Sequence, residues 1–202
     1  LSYRSAVQHT LDGDSTFTNT PAGPLGAAFA DGGAKADLTT PDVVSLGLYQ
    51  KLTDKWAVVA DVSWTNWSRF NELRVRFDAP GRTDSVTVED WDDAWFAALG
   101  AIYQLDESWT LRAGVAFDQS PVPEATRTPR IPDQDRTWIA LGAGYKINDA
   151  LRVDGAYTHI FVKDAALNLA DNLTGPDRFR GNLSGAYDSQ IDIVSLQVRY
   201  AF

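Results

Sequence analysis

Apolar and polar residues alternate with a period of two along most of this chain, and that spacing is a strand's, not a helix's. From Ile191 onward, Val194, Leu196, Val198, Tyr200 and Phe202 fall on one face, while Ser195, Gln197, Arg199 and Ala201 fall on the other. Side chains alternate across a strand, so such a segment has one apolar and one polar face. Similar runs place Val44, Leu46 and Leu48 on one face. Trp56, Val58, Ala60, Val62 and Trp64 form another, as do Trp95, Ala97, Leu99, Ala101 and Tyr103. Trp109 to Phe117, Ile139 to Ile147 and Leu151 to Tyr157 repeat the pattern. No helical stripe with apolar residues at i, i+3, i+4 and i+7 continues beyond two turns.

A degenerate repeat joins these runs. It reads Tyr49-Gln-Lys-Leu-Thr-Asp-Lys-Trp56, then Tyr103-Gln-Leu-Asp-Glu-Ser-Trp109, then Tyr145-Lys-Ile-Asn-Asp-Ala-Leu151. Short Asp/Asn/Thr turns between alternating runs are hairpin chemistry. The connections at the other end are long, over 66–93, 119–135 and 163–182, and the second holds Pro121, Pro123, Pro129 and Pro132. Eight strands are expected, over 1–12, 35–52, 56–77, 84–105, 109–118, 136–147, 151–168 and 183–202, within one domain covering 1–202. The Gly-, Ala- and Pro-rich stretch 19–36 reads as a loop with one short helical turn.

Which solvent meets the apolar face decides the class. Eight such strands also suit a soluble sandwich or a lipocalin-like barrel with its apolar face inward. That packing would oppose Arg112, Asp118, Lys146, Arg152, Asp154 and Arg199 to the core, too many charges for a soluble protein. The uniformly apolar and aromatic opposite face and the lopsided connections point the same way. Short turns at one end, long loops at the other and alternating strands are the layout of an antiparallel transmembrane β-barrel of the bacterial outer membrane. Two aromatic belts are expected, with Tyr49, Trp56, Tyr103, Trp109 and Tyr145 near the turns and Trp64, Trp95, Phe117 and Tyr157 near the loops. No window approaches a transmembrane helix, which strands of about 9–11 residues do not need. The net charge of −9 disfavours nucleic acid, whose phosphates require a basic surface. With no Met at position 1, the chain is expected to begin at a processed site or within a longer protein.

Chemistry-bearing motifs are sparse. There is no Cys, and His9 and His159 are the two histidines, without metal-ligand or phosphate-loop spacing. A hydrolase reading would need Ser63, Ser120 or Ser195 near His159, and the spacing does not support it. Asp118 ends an alternating run on its polar face, ahead of Ser120-Pro-Val-Pro123. It is either a solvated strand terminator or a fixed polar group at the mouth of a lumen. The stretch Arg130-Ile-Pro-Asp-Gln-Asp-Arg136 is either an ion-paired loop closing the rim or part of a ligand vestibule.

These segments carry a resemblance. Phe117-Asp-Gln-Ser-Pro-Val-Pro123 and Arg130-Ile-Pro-Asp-Gln-Asp-Arg-Thr-Trp138 resemble the FadL family of outer-membrane transporters of long-chain fatty acids and other hydrophobic compounds. Trp64-Thr-Asn-Trp-Ser-Arg-Phe70, Ala98-Leu-Gly100, Trp109-Thr-Leu-Arg-Ala-Gly114 and the closing Tyr200-Ala-Phe202 extend the likeness over nearly the whole chain. The resemblance implies the C-terminal eight strands of a 14-stranded barrel whose N-terminal hatch and first strands lie outside this chain. It also implies a transporter, not an enzyme, that takes a hydrophobic small molecule from outside without energy input, in contact with outer-membrane lipid and lipopolysaccharide and with no cofactor or metal. Asp118 matches an acidic residue lining the ligand pocket. A basic residue that holds the ligand head group in the family falls here on Thr87, so an uncharged hydrocarbon or aromatic ligand stays open beside a fatty acid. The ligand-binding candidates are Asp118, Ser120, Pro121 and Trp138. The reading from another class is a stand-alone eight-stranded structural or adhesive barrel, whose interior would be filled by side chains.

Overall fold

The structure is a computed structural model that describes residues 1–20, 23, 26, 29–170 and 181–202. The helical turn expected within 19–36 and the middle of the 163–182 connection fall largely outside the described residues. In chain order the strands are β1 (Ser2–Arg4), β2 (Val7–Ser15), β3 (Gly32–Thr40), β4 (Val43–Lys51), β5 (Trp56–Thr65), β6 (Glu72–Phe77) and β7 (Ser85–Val88). They continue as β8 (Ala94–Gln104), β9 (Trp109–Asp118), β10 (Arg136–Lys146), β11 (Leu151–Val162), β12 (Ala165–Leu169), β13 (Leu183–Tyr187) and β14 (Gln190–Tyr200).

Eight of them form one antiparallel sheet in the order β1-β4-β5-β8-β9-β10-β11-β14. These are the eight strands the alternation foretold, but most of the long segments read from sequence divide in two. The inner part joins the eight-stranded wall. The outer part joins a smaller sheet, either β2-β3-β6-β7 or β12-β13. Only β9 and β10 match their expected spans closely. The apolar residues change parity across two of the breaks, from Trp56–Trp64 to Leu73, Val75 and Phe77 and from Val86 and Val88 to Trp95–Leu99, a mark that reading each segment as one strand passes over. The breaks combine local features with contacts distant in sequence. Pro41 lacks an N–H for the ladder, and the N–H of Ala6 leaves the ladder to donate to Asp42 Oδ1 at 3.0 Å. A 3-10 turn at Trp67–Arg69 separates β5 from β6.

The repeated hairpin motif folds the same way three times. Thr53 Oγ1 accepts the N–H groups of Lys55 and Trp56. Asp106 Oδ1 accepts those of Ser108 and Trp109, and Asn148 Oδ1 those of Ala150 and Leu151. A short oxygen-bearing side chain that replaces the turn's missing acceptors explains why Thr, Asp and Asn recur there.

Cross-strand register sorts the two faces. Leu48, Ala60, Leu99, Val115 and Ile139 lie in one row. This apolar face is uncovered: Leu111, Val115, Leu141, Leu196 and Val198 are 38%, 54%, 57%, 76% and 61% exposed. A face this apolar and this open needs a lipid solvent. Near the turns it carries Trp56 stacked on Tyr103 at 4.5 Å and Trp109 on Tyr145 at 4.7 Å. Tyr49, expected in that belt, lies instead on the polar face opposite Val59. It is one pleat out of phase with Leu48, and the turn motif's aromatic position does not fix the face. The sheet is open. β1 and β14 stand at its two ends, and β14 is exposed along its whole length.

Candidate functional site

The outer end of the polar face is closed by buried polar anchors. Asp42, at the junction of β3 and β4, accepts the Tyr3 hydroxyl at 3.1 Å and the Asn66 amide at 3.0 Å, and pairs with Arg69 at 2.9 Å. Hydrogen bonding, led by the Ala6 N–H, lowers the Asp42 pKa from the ordinary carboxylate value. One acid thereby ties β1, β4 and β5 together at the rim.

A second anchor holds the loop after β9. Arg127 is only 2% exposed. Its guanidinium donates to three carbonyl oxygens, of Asp133 at 3.0 Å, Ala166 at 2.9 Å and Val122 at 3.3 Å. The proline-rich segment is thus wrapped around a cation and pinned to β12. Thr126 Oγ1 donates to the Glu89 carbonyl at 2.5 Å, and the Asp92 N–H to the Pro121 carbonyl at 2.8 Å. These bonds bring the 66–93 and 119–135 connections together. The Glu89 side chain is buried, and burial raises its pKa above the ordinary value, opposed by the Trp91 indole N–H that donates to it at 2.9 Å.

Between these anchors lies a cavity of about 270 Å³. Trp67, Trp91, Trp95, Phe96, Val122 and Ile131 give it apolar walls, and Asp118, Asp133 and Arg136 line its polar side. Trp91 packs edge-on against both Trp67 and Phe70 at 4.9 Å. Thr65 and Gln119 add to the polar side, so the cavity has one aromatic wall and one polar wall of similar extent, an arrangement that suits a small ligand with an apolar body.

Of the four residues singled out from sequence, Asp118 and Pro121 line this cavity. Asp118 closes β9 and accepts Arg136 Nη1 at 3.2 Å. Ser120 lies behind the cavity, its hydroxyl donating to Asp133 Oδ2 at 2.7 Å and its N–H to Asp135 Oδ1 at 3.0 Å. Trp138 stands one pleat beyond Arg136 on the polar face, and its indole N–H is buried without an acceptor among the described residues. Arg136 also pairs with Asp133, so the 130–136 stretch is an ion-paired closure and part of the cavity wall at once. Thr87 receives a hydrogen bond from Arg130 Nη2 at 3.3 Å, which sets a guanidinium beside that position. Trp67, Trp91, Glu89 and Arg127 were not singled out from sequence. Their partners lie on other connections, and the density of Trp around 64–95 was the only local signal.

His159 does not meet the serines considered with it. It lies on the apolar face, opposite Ile139 and Asp192, and its Nδ1 is 2.7 Å from Asp192 Oδ1. Ser63 and Ser195 lie on the polar face, and Ser120 is in the rim loop.

Comparison with known proteins agrees with this architecture. The family model described as outer membrane protein transport protein (OMPP1/FadL/TodX) matches residues 1–202. The long-chain fatty acid transport protein of Escherichia coli O6:H1 is 35% identical over 170 residues, covering 79% of this chain and 38% of that protein. Outer membrane protein P1 of Haemophilus influenzae is 34% identical over 206 residues, covering all of this chain and 43% of that protein. A crystal structure of a Pseudomonas aeruginosa FadL homologue superposes with a TM-score of 0.81 at 29% identity, over 98% of this chain and 47% of that one. The chain therefore spans less than half the length of these relatives.

Proposed function

The chain belongs to this family of outer-membrane transport proteins, and we propose that its parent protein takes up hydrophobic small molecules passively, through a path that begins at the rim cavity. The observation that carries this reading is the aromatic pocket of about 270 Å³ at the long-loop end of the polar face. A hydrophobic solute reaching the cell must cross the polar sugar layer of lipopolysaccharide. Aromatic walls offer it a favourable exchange of water for apolar contact. Beyond the cavity, the polar face presents Trp138, Ala140, Gly142 and Gly144 in succession along β10. Trp138 and Ala140 offer a solute an apolar wall there, whereas the space over Gly142 and Gly144 is taken by the side chains of Arg112, Arg152 and Asp154. Arg136 is shared between Asp118 and Asp133, so the polar side of the pocket is ion-paired and offers a carboxylate no free cation. A carboxylate head group, where present, meets Arg130 beside Thr87. Both long-chain fatty acids and uncharged aromatics fit this arrangement.

The stand-alone barrel reading is disfavoured by the open sheet. Unpaired backbone along β1 and β14 is untenable in hydrocarbon, and eight closed strands would pair those two edges. The test is uptake of labelled oleate and labelled toluene by an outer-membrane strain that lacks its own transporter and expresses the full-length parent. Accumulation of either above an empty-vector strain, reduced by Trp91→Ala, supports the proposal. Uptake equal to the empty vector for both solutes refutes it.

A further inference from the structure

The turn end of the lumenal face holds a second constellation, far from the rim cavity. Asp154 on β11 accepts Arg112 Nη1 at 3.0 Å and Arg152 Nε at 3.0 Å. Arg112 comes from β9, so its guanidinium must cross β10 to reach Asp154. It does so where β10 carries Gly142 and Gly144, which pair with Arg112 and Asp154 respectively. A Cβ built on Gly144 would overlap both the Asp154 carboxylate and the Arg152 guanidinium. The missing side chain is therefore the seat of the cluster.

The charges do not balance. Arg199 on β14 stands directly opposite Arg152 in the cross-strand register. Like charges in that relation repel. Asp154 already serves Arg112 and Arg152, and Arg199 has no ion-pair partner among the described residues. Two guanidiniums thus share one carboxylate and a third, Arg199, is left over beside them, in a chain whose net charge is −9. All of them lie within a few residues of the short-turn end of the wall, the end that faces the periplasm in outer-membrane barrels.

We infer that Arg112, Arg152 and Arg199 form a binding site for a second carboxylate at the periplasmic end of the lumen. Guanidinium groups present paired donors matched to a planar carboxylate. The low-dielectric wall strengthens the attraction. The carboxylate comes from one of two sources, the head group of a ligand arriving from the rim or an acidic side chain of the parent protein outside this chain. The ligand source rests on the uptake reading above; the intramolecular source does not.

Purified full-length parent protein separates them, with Arg199→Gln as the disruptive variant and Arg199→Lys as the charge-keeping one. Heat-modifiable gel mobility first confirms that each variant is folded. For a ligand head group, Arg199→Gln weakens oleate binding by about tenfold, the worth of one charge-assisted hydrogen bond. Binding of oleyl alcohol is unchanged, and Arg199→Lys restores most of the loss. For an intramolecular carboxylate, oleate and oleyl alcohol keep their affinities. Arg199→Gln instead raises ion conductance through the protein in planar bilayers severalfold, because the lumen's filling is loosened. Oleate affinity and conductance both within twofold of the unmodified protein, in Arg199→Gln and in the Arg152→Gln/Arg199→Gln double variant, would overturn the inference. Should the unmodified protein bind neither lipid, the uptake reading fails, and conductance alone decides the site.

Discussion

Replacing Arg127 by Met should release the proline-rich rim loop without unfolding the wall. Arg127 is 2% exposed, and its three hydrogen bonds end on backbone carbonyls of its own loop and of β12. Each bond to a charged donor is worth about 1.5–3 kcal/mol, so the gross loss is roughly 5–9 kcal/mol. Removing the buried cation returns a desolvation cost of several kcal/mol. The net penalty is then about 2–4 kcal/mol, carried by residues 119–135 rather than by the eight-stranded sheet. Because local opening tracks local free energy, amide exchange in that loop should accelerate by about thirtyfold to several hundredfold. Exchange in β9 and β10 should stay as slow as in the unmodified protein. Arg127→Lys reaches fewer carbonyls and should fall between. The measurement is hydrogen–deuterium exchange with peptide resolution on the folded protein in detergent. Unchanged protection of 119–135 in Arg127→Met would show that the loop is held by something other than this cation.

Three other outcomes follow from the same geometry. Leu141→Arg, at mid-height on the uncovered apolar face, should cost about 2–4 kcal/mol of folding free energy in lipid bilayers, measured by urea titration against Ser195→Arg on the lumenal face, which should cost less; equal costs would contradict the assignment of faces. Gly100→Val should destabilise by about 1–3 kcal/mol, because its Cβ would sit 2.9 Å from Val59 Cγ2 and 3.2 Å from the Ala113 carbonyl, whereas Gly155→Ala, with its nearest contact at 4.0 Å, should leave the unfolding midpoint unchanged. Burial raises the folded-state pKa of Glu89, so the folded rim binds a proton that the unfolded chain has already lost; rim stability should therefore fall as pH rises from about 4.5 through the raised value, and exchange of 66–93 in Glu89→Gln should lose that pH dependence.

The rim and the wall answer to different physics. Across the wall, lipid contact rewards any apolar side chain of suitable size, so the requirement is written into a repeating local pattern. At the rim, loop connections meet water on one side and a cavity on the other. Their order comes from a few buried polar groups, Asp42, Glu89 and Arg127, each satisfied by partners distant in sequence. This division places the cavity where loops can vary in shape while the wall strands keep the same register.

Alternation along Trp109 to Phe117 and Ile139 to Tyr145 was enough to determine β9, β10 and their faces, because a strand's two faces depend only on the parity of its residues, and the charges on the polar face with the lopsided connections pointed to lipid on the other. The Thr53, Asp106 and Asn148 turns were equally legible, since each closes on neighbours within three residues. The resemblance carried by 117–123 and 130–138 determined the family, and it drew attention to Asp118 and Pro121 at the cavity. Tertiary structure completed the breaks in the long segments, since Tyr3, Ala6 and Asn66 meet at Asp42 across three strands, with Pro41 a local mark beside them. It alone gathered Trp67 and Trp91 with Asp118 around one cavity and set Arg199 against Arg152, whereas Tyr49's inward face already follows from its parity with Gly47. Parity is a local property of the chain, whereas these meetings depend on register between strands, and register is fixed only when the whole sheet forms.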